Sequence, residues 1–235
     1  MRSTLKIASV SGIEVRIHVT FLLFLAWIWF GYYQIAGVSS ATQGVLLFVA
    51  LFACVLLHEF GHAFAARAFG IQTADITLLP IGGVARLNRI PEEPWQELVV
   101  AVAGPLVNVV IALALRLVVH EAAPPDQLEL IENPRIELLD QLASVNIMLV
   151  KFNLIPAFPM DGGRVLRALL AMTMPYSRAT WIAAMIGQAL AICLAIYSFI
   201  GPSRDPILIF IAFFIFIGAR QEAAMTRTRQ TPPPL

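Results

Sequence analysis

The sequence predicts an all-α polytopic membrane protein with about six transmembrane helices, plus a small membrane-associated β-hairpin or sheet between spans 2 and 3. Three observations predict it. Of the 235 residues, 59% are hydrophobic and only 13% are charged, with a mean hydropathy of +0.79. A soluble domain of this length cannot hide so much apolar surface. Residues 19–57 carry no charge, which is room for two crossings at about 20 residues each. The basic residues are also divided very unevenly between the segments that alternate crossings would place on opposite sides.

Span 1 is expected at residues 18–35 and span 2 at 43–69, with "GVSSATQG" at 37–44 as the turn between them. Span 3 covers 95–119. Span 4 starts near Leu139 and runs into "NLIPAFPMDGGR", and span 5 covers 178–200. The sixth, 206–219, is short; it crosses if it extends toward Met225 or the bilayer thins. Six crossings put both termini on one side. Thirteen of the sixteen Lys and Arg residues fall on that side, against only Arg116, Arg135 and Arg204 on the other. Both termini are therefore expected in the cytoplasm of a plasma-membrane protein. The acidic outer loop, residues 120–138, agrees with this.

Between spans 2 and 3, "DITLL" and "VARL" flank "PIGG", which reads as a β-hairpin or short sheet dipping into the membrane face. Arg2, Lys6 and Arg16 precede a first apolar run that is too long for a signal-peptide core, so that run is read as a retained span. Residues 1–225 form one domain with its core in spans 2–4, about 43–173, and residues 226–235 are expected to be a disordered proline-rich tail. The formal net charge of +1 comes with no basic patch, so nucleic acid is not an expected partner. Cys54 and Cys193 both lie in apolar runs, where packing rather than a disulfide is the expectation.

"HEFGH" at residues 58–62 interrupts span 2. It matches H-E-x-x-H, and on a helix His58 and His62 share a face from which two imidazoles can aim at one metal ion. Glu59 projects beside them, placed to take a proton from water at the metal. Ionisable groups are costly inside a membrane and usually face a cavity or a partner, which favours a metal over a chance match. A catalytic zinc has three protein ligands. Spans 2 and 4 run in the same direction, so the third ligand is sought near the cytoplasmic end of span 4, where Asp161 is the one carboxylate. Pro156 and Pro159 prevent a regular helix there, and Gly162 and Gly163 let backbone approach closely. A helix-capping role for Asp161 stands as the alternative.

Together, "HEFGH", "AGPLVN" (103–108) and "NLIPAFPMDGG" (153–163), with "PIGGVARL" between the first two, resemble the site-2 protease family of intramembrane zinc metalloproteases. The opening "GIEVRIHVTFLLFLAW" is similar to its shorter bacterial and archaeal members, the group often carrying tandem CBS domains. The resemblance covers about residues 10–220. It implies cleavage of a peptide bond in or next to a substrate's transmembrane helix, with one zinc ion held by His58, His62 and Asp161 and with Glu59 as general base and acid. Asn153 matches the family's motif asparagine and either steadies the substrate or oxyanion or ties the broken helix together. Asn108 either orients a ligand or caps a kink. Gly82 and Gly83 lie on the hairpin where an extended substrate could add as a strand. The implied partners are the lipid bilayer and a single-span membrane protein of the anti-sigma-factor or membrane-tethered-regulator type; no oligomeric state is implied. No PDZ domain separates spans 2 and 3, and the 235 residues hold no CBS pair after span 6, which is read either as a minimal natural chain or as one that stops short of such a pair.

Two other readings use the same residues. A prenyl-protein endopeptidase also carries HExxH, but "NLIPAFPMDGG" does not resemble its arrangement. A membrane metal transporter or metal-binding protein would use the His-Glu-His cluster for cargo, and would need more polar residues on spans 5 and 6 than Gln188 and a few hydroxyls. Cys54, a turn before His58, is weighed as packing or ligand. His18 is read as an interfacial anchor, and the aromatics around Trp27–Tyr33 as a belt.

Overall fold

The computed structural model describes residues 3–89, 91, 93–122, 134–201 and 205–230. Most of the acidic segment 120–138 and the last five residues lie outside that set. The chain forms β1 (Thr4–Val10), β2 (Ile13–His18), α1 (Val19–Ala68), β3 (Thr73–Leu79), β4 (Gly82–Leu87), α2 (Pro94–Ala122), α3 (Pro134–Asn153), α4 (Asp161–Ala171), α5 (Tyr176–Ile200) and α6 (Pro206–Gln230). It divides into two compact units. Residues 1–90 and 103–150 make the first, and residues 91–102 and 151–235 the second.

Among the described residues, four helices, α1, α2, α5 and α6, are long and apolar enough to cross a membrane. α1 has 50 residues and is broken at Ala36 and Gly37, where φ is −143° and +78°. Glycine takes that positive φ without the penalty a side chain would bring. The break is narrower than the expected turn: residues 38–44 are already helical. Beyond it the chain folds back on itself. Phe21 packs on Phe52 with ring centroids 4.5 Å apart, Phe24 on Phe48 at 5.4 Å, and Gly44 leaves room for the Tyr32 ring. One long helical segment, broken once, thus has two legs over the residues expected as spans 1 and 2. α3 is not among the four, so a total of six crossings is not what helix length and composition alone give.

The sheet has four strands in the order β1-β2-β3-β4. Sequence patterning anticipates only the β3–β4 half. β1 and β2 form a second hairpin through Ser11 and Gly12, both at positive φ (52° and 84°), as a two-residue turn joining twisted strands requires. The alternation in "IEVRIH" is visible in the sequence, but Lys6 and Arg16 look there like the basic flank of span 1. They belong instead to a strand pair in which both bind Glu14. β2 then pairs parallel to β3, with Val15 opposite Ile76 and Ile17 opposite Leu78. Ile13, Val15 and Ile76 pack with Phe60 and Ala63, fixing the sheet against the stretch of α1 that carries "HEFGH".

In the second unit, α5 and α6 enclose the non-helical residues 154–160. Ala157 and Met160 pack with Ala191 and Ile215, and Phe158 with Ala183, Ala184 and Ala219. Gly187 and Gly218 make the close approach possible: a Cβ there would fall 3.2 Å from Ala157 Cβ and 2.6 Å from Pro159 Cδ, respectively. α6 continues as helix through Gln230, into the segment expected to be a disordered tail.

Candidate metal centre

His58 and His62 are 6% and 4% exposed. Their spacing along α1 brings the two Nε2 atoms to 3.0 Å, with the rings nearly perpendicular at 83°. Tetrahedral nitrogen ligands about 2.0–2.1 Å from zinc stand about 3.3 Å apart, so this pair is close to the separation a shared ion requires. α2 walls the pair in. A Cβ built on Gly104 would land on His62 Nε2, 2.5 Å from His62 Cε1 and 2.7 Å from His58 Nε2. Gly61 makes the matching accommodation on α1, where a Cβ would sit 2.8 Å from Ala103 O and Val107 Cγ2. The "AGP" of α2 is therefore a close-packing device, as small residues are at helix contacts in membranes. Pro105 is carried inside the helix.

Asn108 is fully buried and its Oδ1 lies 2.7 Å from His58 Nδ1. The contact ties Asn108 to the His58 ring. Its Nδ2 donates to Asn146 Oδ1 at 3.0 Å. Sequence alone does not single out Asn146. Nothing in "SVNIMLV" marks it except a polar amide in an apolar run.

Glu59, half-buried beside the histidines, lies under the start of β4. A Cβ on Gly83 would come within 2.6 Å of Glu59 Cγ. Gly82, at φ 137°, has open space around it. β4 is an edge of the sheet, joined to β3 by a tight turn at Pro80 and Ile81. The hairpin is pinned by Asp75 and Arg86, which face each other across the strands and form an ion pair. The Arg86 guanidinium, chiefly through its hydrogen bonds, holds the Asp75 carboxyl below its ordinary value.

Asp161 and Asn153 lie in the second unit. Asn153 closes α3 and is half-buried; Asp161 opens α4 and is 8% exposed. The helix-capping alternative is corrected: Met160 holds the cap position, and Asp161 is one residue inside the first turn. Gly162 and Gly163 behave as expected, and what approaches them is the chain's own loop. Side chains there would strike Leu154, Ile155, Ala157 and Phe158 backbone atoms. His58, His62 and Asp161 are all buried, and each offers one ligand atom of the type a metal site uses. Cys54 is a buried free thiol and is not part of that set. His18 is an N-cap: its Nδ1 accepts from the Thr20 amide at 3.3 Å.

The second unit also holds charges that sequence reasoning places in a loop. Arg167, 2% exposed, donates to Glu97 at 2.5 Å and pairs with Glu222, while its guanidinium lies over the Phe158 and Tyr176 rings. The hydropathy pattern gives no hint of this, because Arg167 follows the apolar run and looks like a loop cation.

Comparison with known proteins agrees with this architecture. The profile of peptidase family M50 matches residues 46–123 and 126–194. A zinc metalloprotease of Methanocaldococcus jannaschii is 39% identical over 226 residues, covering 95% of this chain and 61% of that protein. A putative zinc metalloprotease of Synechocystis is 32% identical, covering 80% of this chain and 50% of that protein. This chain thus spans about three-fifths or less of these curated relatives. The solved site-2 protease from Methanocaldococcus jannaschii superposes with a TM-score of 0.67 at 38% identity, covering 94% of this chain and 95% of that one. The matched residues include the histidine pair, Gly104 of α2 and the broken 154–160 segment, and the chain belongs to peptidase family M50, the site-2 proteases.

Proposed function

We propose that this chain is an intramembrane zinc metalloprotease that hydrolyses a peptide bond in or next to a transmembrane helix of its substrate. The observation that carries the reading is the convergence of His58 and His62 Nε2 atoms in a buried site, with Glu59 between them and the edge of a sheet. The names of the relatives support zinc as the metal. Asp161 is assigned as the third ligand, on the strength of its burial and its carboxylate chemistry. Zinc in such a site supplies an acidified water and a Lewis acid for the scissile carbonyl.

The chain's own residues do the rest. Glu59 takes the water's proton and returns it to the leaving nitrogen. Asn108 holds His58 in place. β4 offers its free edge, at Gly82 and Gly83, to a substrate segment that has unwound from helix to strand, so that the scissile bond is presented next to Glu59. Asn153 steadies that strand or the developing oxyanion. The substrate is a single-span membrane protein of the tethered-regulator type. Both termini and the site face the cytoplasm, a reading supported by the uneven division of Lys and Arg, from which the buried Arg167 is now withdrawn.

The test is zinc content and cleavage of a single-span substrate in detergent, for wild type, Glu59→Gln and Asp161→Ala. Glu59→Gln is expected to keep zinc and lose cleavage by about 10²–10⁴-fold, and Asp161→Ala to lose both. Equal zinc and equal cleavage in all three would remove the assignment.

A further inference from the structure

Behind His58 a line of buried amides leads away from the histidine pair to a backbone carbonyl. His58 Nδ1 is 2.7 Å from Asn108 Oδ1, Asn108 Nδ2 is 3.0 Å from Asn146 Oδ1, and Asn146 Nδ2 is 2.8 Å from Leu142 O. Both asparagines are 0% exposed, so water does not stand in for a missing partner. The direction of every proton in this line follows from its far end. A backbone carbonyl only accepts, so Asn146 must turn its NH₂ to Leu142. Its Oδ1 is then left to accept, which obliges Asn108 to present Nδ2 to it. Asn108 therefore shows its Oδ1 to His58, and an oxygen there requires His58 Nδ1 to carry the proton. His58 Nε2 is left with its lone pair, on the side facing His62.

We propose that Asn146 is a positioning residue for the metal centre. Holding the Asn108 amide in one orientation, it fixes the tautomer of His58 and keeps Nε2 available as a ligand atom. The inference rests on the reading of His58 as a zinc ligand. The alternative orientation shows why a second asparagine is needed. If Asn108 flipped, its Oδ1 would face Asn146 Oδ1, two acceptors at hydrogen-bonding distance, and its NH₂ would favour the tautomer protonated on Nε2. Among the described residues, Asn146 is the hydrogen-bond partner that opposes that flip. The residue lies on α3, which Arg116 of α2 also ties through Ser144 and Asp140. The proton on His58 is thus set by a different helix from the one bearing the ligand. Partners of this kind behind a metal-bound histidine change metal affinity by about 10–100-fold.

The experiment measures zinc affinity by chelator competition on the purified chain in detergent. It compares wild type, His58→Ala, Asn108→Ala, Asn146→Ala, Asn146→Asp and the Asn108→Ala/Asn146→Ala double variant. Asn146→Ala and Asn108→Ala are each expected to weaken zinc binding about 10–100-fold. The double variant should be no weaker than Asn108→Ala, because Asn146 acts only through Asn108. In its protonated form Asn146→Asp keeps an oxygen for Asn108 and an O–H for Leu142 O, and should keep wild-type affinity, which a space-filling role would not explain. In the zinc-free chain, ¹⁵N shifts of His58 should report the Nδ1-protonated tautomer in wild type and its loss in Asn146→Ala. Wild-type affinity in Asn146→Ala, multiplying losses in the double variant, or Asn146→Asp as weak as Asn146→Ala would each overturn the proposal. If wild type binds zinc no better than His58→Ala, the metal reading itself falls and this one with it. Loss of zinc in His58→Ala beside an unaffected Asn146→Ala would remove the amide line alone.

Discussion

The stretch of α1 that bears His58 and His62 and the segment that delivers Asp161 bury polar groups by opposite means. The histidines project from uninterrupted helix, and neutral amides meet them from α2 and α3. Asp161 follows seven residues without regular helix or strand, and charge lies beneath that loop: Arg167 stacks on Phe158 and pairs with Glu97 and Glu222. Glycine serves both, between helices at Gly61 and Gly104, and around a loop at Gly162, Gly163, Gly187 and Gly218. Where the backbone satisfies itself, close packing and uncharged hydrogen bonds suffice. Where it is broken, something must hold the loop's shape, and here an ion cluster fastens three helices to it. The amide region should accordingly be sensitive to added volume, and the loop region to lost charge.

The largest effect should follow from breaking that cluster. Arg167→Met leaves Glu97, 0% exposed, without its cation, and is expected to cost about 3–5 kcal/mol. Thermal unfolding in detergent would show it, and neutralising Glu97 and Glu222 in the same chain should recover most of the loss. A smaller cost, about 1–3 kcal/mol of overpacking, is expected from Gly104→Ala, whose new methyl falls on the Nε2 atoms of His58 and His62. Zinc stoichiometry should fall with it. Gly83→Ala presses on Glu59 rather than on the histidines. Cleavage should drop about tenfold or more, about 1.4 kcal/mol in the barrier, while zinc is retained. Normal cleavage by Gly83→Ala would also count against strand addition on β4.

The smallest effect belongs to the hairpin's ion pair. Asp75 titrates below its ordinary value of 3.8 when folded, so its stabilisation is fully present above that pH and fades as pH falls through the lowered value. Arg86 is about half-exposed, so solvent screens the pair and its contribution is small. Amide exchange in β3 and β4 should therefore be slower in wild type than in Asp75→Asn near neutral pH, and the difference should vanish in strong acid.

Much of this was legible because membrane burial makes polar residues informative. The His58–His62 spacing, the glycine pair after Asp161 and the prolines before it each imply one local geometry. The four membrane-length helices lie in the apolar runs read as spans 1, 2, 3, 5 and 6, while span 4 is not among them. What escaped were features whose signal is ordinary in sequence. "TLKIASV" and "IEVRIH" alternate as strands do, but two strands beside a basic apolar junction look like a span flank. Arg167 resembles a loop cation until its two carboxylates arrive from positions 97 and 222. Asn146 acquires its meaning only from Asn108, 38 residues away. The shared lesson is distance along the chain: partners within a few residues declare themselves, and partners in another helix do not.

The parallel pairing of β2 with β3 has a consequence for parity. The chain leaves the sheet at His18 and rejoins the same sheet at Thr73, with the whole of α1 in between. A path that starts and ends at one sheet has returned to the side it left, so the crossings made by α1 are even in number. Its break at Ala36 and Gly37 divides the journey into an outward and a homeward leg. The four strands act as a clasp on that round trip, and His58, Glu59 and His62 of the candidate site ride on the homeward leg, a short way before the clasp closes.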